Sequence, residues 1–245
     1  MNKTVIIIPS RLNALRLPNK PLALINKKEM ILHVYESAKK TNTGEVYVAT
    51  PDQKIIDVVT NNGGKAVFTS LNHETGTDRI YEVFKTLQKS EPNIIVNLQG
   101  DMPNIDPQAI TDLISYMNKN QCDIGTLASS FSSKTELADV NNVKVVVKRK
   151  IDNNNFSEAT DFFRSSSKTF ENLYHHVGIY AFTNKALIRY VSLERSKLEL
   201  ERKLEQLRAL ENNMSIHVGY INSSPLSVDT ESDLIKVKKI MENNE

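Results

Sequence analysis

Val5, Ile6, Ile7 and Ile8 are four consecutive β-branched residues, and they run through Pro9 directly into a loop carrying Arg11, Arg16 and Lys20. A run without polar alternation reads as a strand buried on both faces, the pattern of a parallel strand inside an α/β sheet. Open α/β sheets bind ligands outside the carboxyl ends of their strands, so the loop leaving Ile8 lies where a ligand would sit. Three cations gathered there require an anionic partner, and the ordering suggests a polyphosphate. The planar fork of arginine can donate two hydrogen bonds to one phosphate. Each charge pair is worth about 4 kcal/mol at 4 Å and an effective dielectric near 20. Pro18 and Pro21 flank Lys20 and limit the freedom of the loop, which lowers the ordering cost of binding. The chain has neither a Walker loop nor a GxGxxG sequence, so side chains and loop amides must hold the phosphates.

A second apolar run, Ile94 to Leu98, ends in Gln99-Gly100-Asp101 and puts a carboxylate at the end of another strand. Cations for phosphate plus an acid for a metal point to phosphoryl or nucleotidyl chemistry. Around these runs, strand-like and helix-like stretches alternate at βαβ spacing, which predicts a mainly parallel sheet. The spacing predicts helices over 30–40, 53–61, 78–87 and 107–119, with strands over 46–49, 66–68, 124–128, 143–147 and 177–182. Gly63-Gly64 comes after a helical segment, where glycine closes a helix in the left-handed conformation. From Glu194 to Glu211 the spacing of Leu200, Leu204 and Leu207 predicts one amphipathic helix.

The composition agrees with an enzyme-sized α/β chain. With 245 residues and 40% hydrophobic content the chain can bury a full core. Its 31 basic and 29 acidic residues leave a net charge of +2, without the basic surplus of a duplex-binding protein, and no nucleic-acid partner is expected. The lone Cys122 excludes an intramolecular disulfide and a Cys-rich zinc site, and it reads as a small buried apolar side chain in a reducing compartment. The apolar run near the amino terminus stops at Pro9, too short for a signal h-region or a membrane span, so a cytoplasmic protein without membrane insertion is expected.

The segments PSR…RLPNKPL, HETGTDR, NLQGD, YHHVGIY, LEQLR and SVDTESDL succeed one another in the order and spacing of one family. From about Val5 to Met241 the chain resembles the 3-deoxy-manno-octulosonate (KDO) cytidylyltransferases, which are also called CMP-KDO synthetases. Sialic-acid cytidylyltransferases share the opening loop, but the paired HVGIY and LEQLR segments favour the KDO branch. The resemblance implies an α/β fold of the nucleotide-diphospho-sugar transferase type, with a mainly parallel nucleotide-binding sheet flanked by helices. Residues 1–120 would form the nucleotide-binding half, and 121–222 an α/β insertion for the sugar pocket and dimer contact. Residues 223–245 would return to the metal site as a strand and helix.

The same resemblance assigns the site. Asp101 and Asp229 would hold Mg2+, each coming after an apolar stretch, while Thr230 and Asp233 resemble a capping box for the last helix. Arg11, Arg16 and Lys20 would bind the triphosphate, with Arg11 and Lys20 acting in catalysis. Gly76 and Thr77, just ahead of a helix, would approach the base or ribose, and Arg79 and Gln99 would line the site. His176 and Tyr180, four apart in a strand, would face a sugar pocket together with Glu205 and Gln206. His73 reads as a surface side chain and His175 as structural.

The implied reaction joins CTP to KDO and releases pyrophosphate, activating KDO for lipopolysaccharide synthesis. The resemblance also implies a homodimer. The chain departs from the family at Met102, where an acid usually stands, and at Glu158 in FSEAT, where arginine is usual; Arg164 is the available substitute cation. Ala14 and Leu15 replace small hydroxyl residues of the opening loop. Two other readings stay open, a cytidylyltransferase for another acidic sugar and a catalytically idle nucleotide-binding homologue.

Overall fold

The Val5–Ile8 run forms the centre of strand β1 (Thr4–Pro9), which is buried along its whole length. The computed structural model describes residues 3–13, 16–87, 92–153, 155–166 and 169–242; Ala14 and Leu15 lie outside that set. After β1 come a 3-10 turn at Lys20–Leu22, β2 (Leu24–Ile25), β3 (Lys28–Glu29), α1 (Met30–Lys40), β4 (Gly44–Thr50) and α2 (Gln53–Asn61). The chain continues through β5 (Ala66–Phe68), α3 (Gly76–Thr86), β6 (Ile94–Leu98), α4 (Pro107–Lys119), β7 (Ile124–Ser129) and α5 (Lys134–Ala138). Next come β8 (Lys144–Val147), β9 (Phe156–Phe163), β10 (Leu173–Thr183), α6 (Asn184–Ser192), α7 (Lys197–Arg202), α8 (Gln206–Glu211), β11 (Ile216–Tyr220) and α9 (Glu231–Glu242).

The chain divides into two compact units, Met1–Ile114 with Pro225–Glu245, and Ser115–Ser224. In the first unit the strands lie in the order β5-β4-β1-β6, and every pair is parallel. The expected βαβ alternation is therefore present, with α1 and α3 packed on these strands. Gly63 closes α2 at φ 74, the left-handed conformation expected of it. The carboxyl-terminal segment packs into this unit, because Val228, Leu234 and Val237 share a buried cluster with Ile25 and Met30.

The second unit, where an α/β insertion was expected, is mostly antiparallel. Its strands lie in the order β10-β7-β11-β9-β8, and only β11 with β7 is parallel. Strand β9 is not evident from sequence, since FSEATDFF mixes polar and apolar residues without a clean period. The helix expected over 194–211 is two helices, α7 and α8. Lys203 takes φ 56, a left-handed conformation that ends one helix and turns the chain before the next. Leu200 is consequently exposed, whereas Leu204 and Leu207 are buried.

Candidate active site

The loop after β1 is fastened on either side of Arg11. Ser10 N–H continues the sheet by donating to Ala49 O at 2.9 Å, and Leu12 N–H donates to the Asp52 carboxylate at 2.8 Å. Asn19 adopts φ 58, and Pro21 opens the short turn carrying Lys20. The loop so formed, the start of α3 and the segment after β6 enclose a cleft of about 580 Å³ in the first unit. Its lining includes Arg11, Arg16, Lys20, Gly76, Arg79, Gln99, Asp101 and Asp229, all expected site residues.

Lys20 is the centre of charge in this cleft. Its Nζ lies 3.0 Å from Asp101 Oδ2 and 3.2 Å from Asp229 Oδ1, while Arg16 Nη2 lies 3.0 Å from Asp229 Oδ2. Burial opposes the charge on Lys20, but the two aspartates outweigh it and hold its pKa above the ordinary lysine value. Asp101 comes after a strand as expected, whereas residues 225–228 form no strand. Asp229 is placed differently: Val228 N–H donates to Asp101 O at 2.9 Å, and Leu226 N–H to Asn104 Oδ1 at 3.0 Å. The expected capping box forms beside it, with Thr230 and Asp233 exchanging hydrogen bonds.

Two carboxylates that share one ammonium also suit a divalent ion. They are hard oxygen donors already held close together, and Mg2+ fills its other positions with water and phosphate. Among the described residues no group of three or more His, Cys, Asp or Glu side chains is placed to hold a metal, so the other ligands would be water and substrate oxygens. Met102, in place of the usual acid, is buried and adds no oxygen.

The wall opposite is built by α3. Thr75 caps the helix, accepting from Asp78 N–H at 3.1 Å while Asp78 accepts from Thr75. Gly76 lets the backbone approach its neighbours closely, since a Cβ there would lie 3.3 Å from Pro9, a tight contact, and 3.7 Å from the Gln99 amide nitrogen. Thr77 does not reach the cleft. It is buried, and its hydroxyl accepts from Asn97 Nδ2 at 3.3 Å because the first turn of α3 faces β6 there. Gln99 in turn donates to Asn97 Oδ1 at 3.3 Å. Arg79 is 4% exposed; burial and then the charge of Arg11 lower its pKa, and Nη1 is held by Thr69 Oγ1 at 2.5 Å and Ser70 O at 2.9 Å. His73 is not a plain surface residue, because it lines the cleft and bonds Glu82. Sequence reading missed Asp52, Glu82 and Asn97. Only Glu82 left a signal, its three-residue spacing from Arg79 on a helix.

The expected sugar-site residues belong to the second unit. His176 and Tyr180 share a face of β10, with ring centroids 5.5 Å apart and both side chains buried. The Thr126 hydroxyl donates to Ile179 O at 2.7 Å, so it accepts from His176 Nε2 at 2.9 Å, which leaves Nδ1 as an acceptor. Burial, then the neighbouring His175, lowers the pKa of His176 to about 3. Burial and the charge of Glu205 raise that of Tyr180. Gln206 is buried at the start of α8, and Glu205 O accepts from the Tyr190 hydroxyl at 2.8 Å. His175 is structural, paired with Glu136 at 2.8 Å and stacked on Phe131. Glu158 is paired with Lys148 at 2.5 Å, and Arg164 Nη1 donates to Asn141 O at 2.8 Å.

Cations set against a carboxylate pair beside the strand ends of a parallel sheet suit a phosphoryl- or nucleotidyl-transferring class. The comparisons with known proteins agree. A cytidylyltransferase family model matches residues 5–216. The 3-deoxy-manno-octulosonate cytidylyltransferase of Bartonella henselae is 41% identical, over 97% of this chain and 98% of its own. That of Brucella ovis is 42% identical, over 96% and 94%. A solved CMP:2-keto-3-deoxy-manno-octonic acid synthetase complexed with CTP superposes with TM-score 0.90 at 37% identity, covering 99% of this chain and 100% of its own. A nucleotidyl transferase from Methanothermobacter thermautotroptrophicus, at 12% identity and TM-score 0.68 over 100% of both chains, shares the fold. The chain belongs to the cytidylyltransferase family, in its 3-deoxy-manno-octulosonate branch.

Proposed function

We propose that this chain transfers CMP from CTP to 3-deoxy-D-manno-octulosonate, giving CMP-KDO and pyrophosphate. The observation that carries the reading is the convergence of Asp101 and Asp229 on Lys20 in a cleft rimmed by Arg11, Arg16 and Arg79. Family membership supplies the nucleotide and the acceptor. The anomeric oxygen of KDO forms a bond to the α-phosphorus as the bond to the β-bridging oxygen breaks, and the hydroxyl proton is released. No enzyme nucleophile is required, so rate comes from positioning and from charge stabilisation.

Arg11, Arg16 and Lys20 neutralise the triphosphate and then the departing pyrophosphate. Gly76 and Gln99 border the nucleoside, with Arg79 behind them. Asp101 and Asp229 would hold Mg2+, which would supply Lewis acidity to the transfer. In the second unit His176, kept neutral by burial, offers a hydrogen-bonding nitrogen to the acceptor alongside Tyr180, Glu205 and Gln206. The same reading includes a homodimer, a cytoplasmic setting and a role in lipopolysaccharide synthesis. No helix among the described residues is long and apolar enough to cross a membrane.

One observation favours a second acceptor. Glu158 stands where the family usually has arginine, and its neighbour Lys148 neutralises it rather than a substrate acid. The deciding experiment is pyrophosphate release from CTP and Mg2+, without acceptor, with KDO, and with a panel of other sugar acids. Release that depends on KDO is expected. Release with another sugar acid alone would move the acceptor, and none with any would leave a nucleotide-binding homologue.

A further inference from the structure

We propose that Glu82 is a positioning residue, which from outside the cleft fastens the segment leading into α3 and so sets the affinity for the nucleoside triphosphate. The inference rests on the reading that the cleft holds a nucleotide.

Residues 69–75 connect the end of β5 to α3, and His73, Glu74 and Thr75 among them line the cleft. The start of this segment is held to the sheet by the bond from Thr69 N–H to Thr50 O at 2.9 Å. Two side chains of α3, three residues apart and therefore on one face, fasten the residues beyond Thr69. Arg79 donates to Ser70 O, and Glu82 accepts from Ser70 N–H at 2.9 Å. Ser70 is thus gripped at its N–H by a carboxylate and at its C=O by a guanidinium. The same Glu82 oxygen, Oε2, also bonds His73 Nε2. Burial tends to raise the pKa of Glu82, but the bonds from His73 and Ser70 outweigh it and favour the carboxylate.

Glu82 is not among the residues lining the cleft, so it acts on a ligand only through the wall it holds. Truncating it releases the Ser70 amide and His73 together and leaves the pull of Arg79 on Ser70 O unopposed. A loosened wall must be ordered when the nucleotide binds, which weakens affinity. Lys20, Asp101 and Asp229 stand on other segments, so turnover at saturation stays close to normal.

The test uses the full chain, with calorimetric titration of CTP in Mg2+ and steady-state pyrophosphate release. Glu82→Ala is expected to raise both Kd and KM for CTP about tenfold, the scale of losing bonds to a charged acceptor, with kcat within about twofold. Glu82→Gln keeps an acceptor and is expected to recover most of that loss, a rescue that a purely stabilising role would not show. His73→Leu removes one bond and tests the same wall if Glu82→Ala folds poorly; about threefold weaker CTP binding is expected. Unchanged Kd in these folded variants, or a fall in kcat as large as the rise in KM, overturns the role of Glu82. If the unaltered chain does not bind CTP, the nucleotide reading itself fails, and the role of Glu82 falls with it.

Discussion

The backbone N–H of Val228 donates to the carbonyl of Asp101 at 2.9 Å. That one bond brings the chain at Asp229 alongside the end of β6, and Lys20 then lies between the two carboxylates. The pair depends on backbone placement rather than on side-chain reach, so replacing either acid should alter chemistry more than folding.

Asp101→Ala is expected to lose at least about a hundredfold in turnover, the size typical of deleting a key electrostatic group, with an unchanged circular dichroism spectrum. Turnover near that of the unaltered chain would remove Asp101 from the site.

Lys20→Met would leave Asp101 and Asp229 facing each other without their shared cation. In urea titrations at pH 7 without ligand, the expected loss is about 1–2 kcal/mol, below a fully buried pair because Asp229 is 39% exposed. Added Mg2+ should restore part of it. Unaltered stability would mean that the two acids do not repel.

His176 gives a pH signature. Its pKa is about 3 in the folded chain against an ordinary 6.5, because burial disfavours the imidazolium. Between those values the unfolded chain binds the extra proton, so stability rises with pH there and falls as pH drops from about 6.5 toward 3. The slope is up to about 1.4 kcal/mol per pH unit. Relative to His176→Gln, unfolding curves over this window should show that excess slope, and parallel curves would contradict it.

The Arg of LEQLR has a structural task. Arg208 Nη2 lies 2.6 Å from Glu199 Oε1 and Nε 2.8 Å from Oε2, with both side chains almost fully buried and the guanidinium 4.7 Å from the Tyr190 ring. Glu199→Gln is expected to destabilise by about 3–5 kcal/mol in denaturant titrations, since it leaves a buried charge unbalanced. A loss under about 1 kcal/mol would show that water reaches the pair.

The first unit was legible because its strands are short, mostly apolar runs and its helices keep one period. Val5–Ile8 and Ile94–Leu98 marked the two strand ends that carry Arg11, Lys20 and Asp101. The second unit was less legible. Strand β9 alternates imperfectly, and the left-handed Lys203 that divides 194–211 has no glycine or proline to announce it. Asp229 was named through family resemblance, but in place of the strand expected before it stand the bonds from Val228 to Asp101 and from Leu226 to Asn104, which no local pattern encodes. Thr77 was misplaced because position along a helix start does not tell which way a hydroxyl turns. Asp52 and Glu82 act through backbone N–H groups of distant loops, a relation visible only once the chain is folded.

The most direct test is a crystal grown with CTP and Mn2+, read by anomalous scattering at the manganese edge. A manganese peak in contact with carboxylate oxygens of both Asp101 and Asp229, with Lys20 moved onto the phosphates, is the predicted result. CTP bound with Lys20 still bridging the two carboxylates and the metal elsewhere would contradict it.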